Sequence, residues 1–174
     1  MTAPVPAGIR LRAARPDDAA AIHDVHTRAI RSTTGHYTHD EREAWVGGRT
    51  PASYLAAISG RHVVVAETDG TPARLLGFGQ VLAPEGLIEA VYVDPDAARR
   101  GIGAALVAAL EREARARGAR TLVLDASLNS VPFYRALGFT AAAAAQHPLA
   151  PGVSLRCTVM SKPLTAAEPA CPTR

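Results

Sequence analysis

Residues 94–106 read DPDAARRGIGAAL. A proline-containing turn, Asp94-Pro95-Asp96, closes an apolar run. Arg99 and Arg100 follow, and Gly101-Ile102-Gly103 leads straight into alanine and leucine. A helix N-terminus offers several backbone N–H groups without intrahelical partners, together with a partial positive charge. Glycine lets the backbone close on a bound group with no Cβ in the way. The stretch therefore reads in two ways. It is a tight turn whose glycines permit packing, or a cradle for an anion, most naturally phosphate, with two arginines at its rim. It is neither a nucleotide P-loop, since no Gly-Lys-Ser/Thr follows, nor a dinucleotide fingerprint, since Leu106 stands at the third glycine position.

The neighbouring segments give this stretch a context. Ile102–Arg117 carries an apolar stripe of Ile102, Leu106, Leu110 and Ala114, with Glu111/Arg115 and Glu113/Arg117 pairing at i,i+4 outside it. Gly118 stands where a left-handed C-cap belongs. Gly86–Val93 before it and Thr121–Ala126 after it read as strands. His62–Glu67 and Leu75–Leu82 read as two more, joined as a hairpin. Ile9–Ala13 alternates as a short strand, and Asp17 or Asp18 is placed to cap a helix reaching Arg31. Thr38 and Glu41 form a capping box for a short helix carrying Trp45, which "GGRTP" ends. Ser130–Leu137 predicts a short helix, Phe139 onward a strand, and Val153–Met160 a last strand. The alanine run 141–145 and "HPLAPG" fit loop or strand equally. Strands that precede, interleave with and follow helices predict one mixed α/β (α+β) layer structure over residues 1–164. A disordered tail is expected over 165–174.

Composition narrows the function classes. With 48% hydrophobic residues the chain can bury a sizeable core. The net charge of +3 is spread along the chain, so neither a nucleic-acid nor a membrane partner is expected. Cys157 and Cys171 form neither a disulfide framework nor a zinc pattern. Together with a start that lacks a signal-peptide core, this predicts a soluble cytoplasmic protein. His23/His26 and His36/His39 are each three apart, but no partner set completes a site, so no metal is expected.

The run VYVDPDAARRGIGAALVAALEREARARGARTLVL followed by FYRALGF resembles the Gcn5-related N-acetyltransferases, over roughly residues 9–163. HYTHDEREAW and DASLNSVPFYRALGF resemble a bacterial subgroup, the YafP-type acetyltransferases. The resemblance implies a mostly antiparallel twisted sheet of six to seven strands flanked by about four helices and splayed at one strand. It implies acetyl-CoA as cosubstrate, held by Arg99, Arg100, Gly101, Ile102, Gly103 and Ala104 through main-chain amides, and by Val91, Tyr92 and Val93 on the splayed strand. Tyr134 matches the family's general acid, and also reads as a packing residue. The early helices would recognise the acceptor, a small-molecule amine or peptide, through His36, Tyr37 and Trp45. Trp45 also suits the core, and Tyr92 could reach the acceptor from the sheet. A homodimer is common among such proteins. Two departures stand out: Ala98 replaces the Arg or Gln that opens the family's loop pattern, and Ser127 replaces a frequent asparagine.

Acetyl transfer to an amine also needs a base. Glu89 alternates with Val91 and Val93, which places all three on one face of a strand. It is either a solvated strand-end carboxylate or a base with burial-raised affinity for protons. Asp125, at the end of its strand, reads as structural. The same cradle would equally serve a non-catalytic acyl-CoA-binding module.

Overall fold

The computed structural model describes residues 3–164. The tail expected to be disordered and Cys171 lie outside the described residues. Seven strands form one sheet in the order β1-β2-β3-β4-β5-β7-β6. They are β1 (Ile9–Ala13), β2 (His62–Thr68), β3 (Leu75–Leu82), β4 (Leu87–Val93), β5 (Thr121–Ser127), β6 (Thr140–Ala150) and β7 (Val153–Pro163). Every neighbouring pair is antiparallel except β4 and β5, which run parallel. Five α-helices flank the sheet: α1 (Ala19–Arg31), α2 (His39–Gly47), α3 (Pro51–Gly60), α4 (Ile102–Ala116) and α5 (Val131–Ala136).

The period of two along each strand divides the core into two layers. Val64 and Ala66 join Ile102, Leu106 and Leu110 of α4 on one face. Val63, Val65 and Phe78 join Ile22 and Val25 of α1 and Tyr54 of α3 on the other. Burial of these branched and aromatic side chains is the main force holding helices to sheet.

Three points go beyond or against the sequence pattern. Pro51–Gly60 is a helix in a stretch to which the sequence pattern assigns no element. Thr50 and Pro51 are good starting residues, but of its residues only Tyr54 is buried, so no amphipathic stripe marks it. Asp18 does not cap α1 with its side chain; its carboxylate accepts from Arg12 and from the Arg15 amide instead. The alanine run becomes part of β6, held by backbone pairing with β7 rather than by side-chain pattern.

Arg12 links two carboxylates, Asp18 at 2.7 Å and Glu67 at 2.8 Å, and Arg10 adds a second contact to Glu67 at 2.6 Å. The Arg12 guanidinium holds both carboxyls below their ordinary range. Protons therefore bind the unfolded chain more tightly than the folded one. The resulting stability is complete above the unfolded values of about 4 and is lost as pH falls through the lowered folded values. Urea denaturation across a pH series is expected to show a stability that drops below about pH 4. Arg12→Gln should flatten that drop.

Candidate active site

β4 and β5 share one register pair, Leu87↔Val123, supported by the Val123 amide donating to the Gly86 carbonyl at 2.9 Å. Beyond it the strands separate. The gap is a cavity of about 240 Å³, with Ile88–Val93 on one side, Leu124, Asp125 and Ser127 on the other, and Phe133 and Tyr134 of α5 in its wall. Separation leaves backbone groups on the facing edge of β4 without a sheet partner, the condition under which a ligand can take them.

α4 begins at the end of this cleft. Gly101, with φ of 83°, is its N-cap, and Arg99 before it is also left-handed, at φ of 60°. The amide of Ala105 donates to the Gly101 carbonyl at 3.0 Å, so the amides of Ile102, Gly103 and Ala104 precede the helical ladder. A Cβ on Gly103 would stand 3.2 Å from Phe133 and 3.7 Å from Val93, two residues of the cleft wall. Helix start and cleft are thus in contact. Arg99 and Arg100 are exposed, whereas the Ile102 side chain lies in the core and leaves only its main chain to a ligand. The preceding turn is fixed by Asp94, which is 1% exposed. It accepts from the Asp96 amide at 3.0 Å, from Arg74 Nη2 at 2.7 Å and from Arg28 Nη1 at 3.0 Å. Burial alone would raise its affinity for protons; these three donors outweigh burial and hold the carboxyl below its usual range.

Tyr134 is buried between Phe133 and Phe139, with ring centroids 4.9 and 5.5 Å away. Burial pushes its phenol up from the usual value near 10. The hydroxyl therefore keeps its proton at neutral pH and can serve as a donor.

Glu89 departs from its expected place. Gln80 pairs with Ala90 while Val81 pairs with Ile88, so Glu89 is the extra residue of a β-bulge. The bulge breaks the alternation and removes Glu89 from the face shared by Val91 and Val93. Its side chain is only partly buried, at 28% exposed, and its Oε2 accepts from Arg61 Nε and Gln80 Nε2, both at 2.8 Å. Glu89 also lines a second cavity, of about 380 Å³, on the α1 side of the sheet.

The profile of the Acetyltransferase (GNAT) family matches residues 19–139, more than half of the chain. The chain belongs to that family. It is 30% identical over 145 residues to the L-amino acid N-acyltransferase MnaT of Escherichia coli, covering 76% of this chain and 80% of that protein. The crystal structure of a Gcn5-related N-acetyltransferase from Rhodopseudomonas palustris matches with a TM-score of 0.84 and 32% identity, over 92% of this chain and 99% of the other. The acetyltransferase yncA from Salmonella typhimurium, solved with acetyl-CoA, shares the fold at a TM-score of 0.66 and 24% identity, over 95% and 98% of the two chains. The protein is a GNAT N-acetyltransferase, and its seven-stranded sheet parted between β4 and β5 is the GNAT architecture.

Within this acetyltransferase the acceptor-side candidates divide. Trp45 lines both cavities, and its ring meets Tyr92 edge-on at 6.3 Å. Tyr92 lines both as well, stacked on Phe78 at 5.6 Å. His36 and Tyr37 line neither. His36 is exposed. Tyr37 is 4% exposed and pins two distant loops: its hydroxyl donates to the Arg156 carbonyl at 2.7 Å and accepts from the Leu128 amide at 2.8 Å. Tyr37→Phe leaves that amide without its partner. It should cost about 1–3 kcal/mol by chemical denaturation, with KM for acetyl-CoA little changed.

The sequence singled out neither Arg49 nor Tyr54, offered His26 only as half of a metal-spaced pair and read Asp125 as structural; all four line the second cavity. Asp125 lines the first as well, and two residues beyond the Leu87↔Val123 pair on each strand come Glu89 and Asp125. A polar residue standing in an apolar strand was the only available signal. Among the described residues, no group of three His, Cys, Asp or Glu side chains could hold a metal ion, and no helix is long and apolar enough to cross a membrane.

Proposed function

We propose that this enzyme transfers the acetyl group of acetyl-CoA to the primary amine of a small acceptor by direct attack within a ternary complex. One observation carries the reading: the parted β4–β5 cleft and the second cavity meet at Trp45, Glu89, Tyr92 and Asp125. A donor entering from the α4 side and an acceptor entering from the α1 side would reach one another there. The residues present fit acetyl-CoA. The free amides of residues 102–104, with Arg99 and Arg100 beside them, suit its diphosphate. Unpaired β4 amides around Val91 and Val93 suit its pantetheine arm and thioester carbonyl. Ala98 removes a side-chain aid to the cradle without touching these main-chain donors.

Acetyl-CoA supplies an activated acyl carbon. The chain orients it and moves protons. An acceptor amine with a pKa near 10 is mostly charged at neutral pH, so it must lose a proton before its lone pair can attack. Glu89 takes that proton, directly or through water. As the C–N bond forms and the C–S bond breaks, the thiolate leaves with a proton from Tyr134, and the attacking nitrogen sheds its second proton, which returns through water to Tyr134. Holding both partners in one site converts a bimolecular encounter into an oriented one.

The test is incubation of the full chain with acetyl-CoA and a broad panel of amines, following free thiol release. Amine-dependent release is expected. Coenzyme binding without release for any amine would instead mark a binding module. Glu89→Gln should lower kcat about 10²-fold if Glu89 accepts the proton, and unchanged turnover would remove it from the mechanism.

A further inference from the structure

The second cavity has a polarity that nothing in the transfer chemistry requires. Its body is aromatic: Trp45, Tyr54, Phe78 and Tyr92 form a continuous wall, with Tyr54 and Phe78 edge-to-face at 5.9 Å. The charged lining residues sit in two groups. Glu89 and Asp125 stand where the cavity joins the cleft. Arg49, in the turn between α2 and α3, is the one permanently cationic residue of the wall. No ion pair among the described residues uses Arg49 or Asp125, although most arginines of the α1 region are paired, as Arg28 is with Asp94 and Arg31 with Glu43. Burial lowers the proton affinity of His26 and raises that of Tyr54; the charge of Arg49 reaches both, adding to the first effect and opposing the second.

A guanidinium left free beside an aromatic wall, facing carboxylates at the reaction centre, is complementary to a molecule that is positive at one end and negative at the other. Resting on the transfer reading above, we propose that the acceptor is a small amine that also carries an anionic group, with Arg49 binding the anion and Asp125, together with Glu89, receiving the ammonium. The apolar body of the acceptor lies along the aromatic wall. A cavity of about 380 Å³ sets the scale at one small molecule rather than a folded protein surface. Both a carboxylate and a phosphate suit the forked donors of Arg49.

Two pairs of acceptors test this with the full chain: L-phenylalanine against 2-phenylethylamine, and glucosamine 6-phosphate against glucosamine. In steady-state thiol-release assays, at least one anionic member should exceed its neutral partner in kcat/KM by about tenfold or more. Which pair shows the preference distinguishes carboxylate from phosphate. Arg49→Gln should pull that ratio toward one, chiefly by raising KM for the anionic acceptor. Arg112→Gln, on the exposed side of α4 and outside both cavities, should keep it. Asp125→Asn should raise KM for both members of a pair. Equal or better use of the neutral amines in both pairs overturns the proposal while leaving acetyl transfer standing. So does a ratio indifferent to Arg49, or release with other amines but none of these four. Failure of every amine, these four included, to give release overturns the transfer reading instead.

Discussion

Tyr134→Phe is expected to lower kcat by about 10²-fold or more and to leave the affinity for acetyl-CoA within about twofold. The two effects separate because the substitution removes one oxygen and keeps the ring. The ring is fixed by its edge contacts with Phe133 and Phe139, and Phe133 in turn lies against Gly103 at the start of α4. Phenylalanine preserves that packing, so the helix start that would hold the diphosphate stays in place. What disappears is the one hydroxyl of α5 in the cleft wall. Burial keeps that hydroxyl protonated, which is the state a general acid must occupy before a thiolate departs. Thiol release with a good acceptor, alongside calorimetric titration of acetyl-CoA, reads both quantities. Unaltered turnover would leave Tyr134 as a packing residue only.

Gly86→Ala should destabilise the protein by about 3–4 kcal/mol and weaken acetyl-CoA binding as well. Gly86 has φ of 69°, where a residue with a side chain is strained. A Cβ there would also stand 2.0 Å from the carbonyl oxygen of Thr121, so the backbone itself must move. The carbonyl of Gly86 accepts the Val123 amide next to the single Leu87↔Val123 pair. That junction sets where β4 and β5 begin to part. Displacing it changes the width of the cleft, so loss of stability and loss of binding share one cause. Urea denaturation with an unchanged m-value, together with calorimetry, measures both. A stability change below about 1 kcal/mol would show that the junction relaxes at little cost.

The parts of the fold legible in the sequence were those carried by strong local signals. The helix over Ile102–Arg117 shows a complete apolar stripe, and the structure places it at Ile102–Ala116 with Gly118 left-handed beyond it. The capping box of Thr38 and Glu41 appears as expected. β2 and β3, rich in branched residues and bounded by turns, fall within one residue of their expected ends. α3 was illegible because it buries a single side chain, and β6 because its alanines carry no alternation.

The site divides along the same line. The glycine-rich helix start and the Tyr134 motif are contiguous in the chain, so local order alone places the one at a helix N-terminus and the other on a short helix. Glu89, Tyr37, Arg49 and Asp125 depend on contacts between segments far apart in sequence. A one-residue bulge against Gln80 and Val81 moves Glu89 to another face. The reach of a hydroxyl to Arg156 and Leu128 turns Tyr37 into a brace. The parting of two strands brings Asp125 and Arg49 onto one cavity. Periodicity and capping act over a few neighbouring residues and are written in their order. Strand register and the facing of separate segments are settled by packing across the whole sheet, which only the folded chain performs.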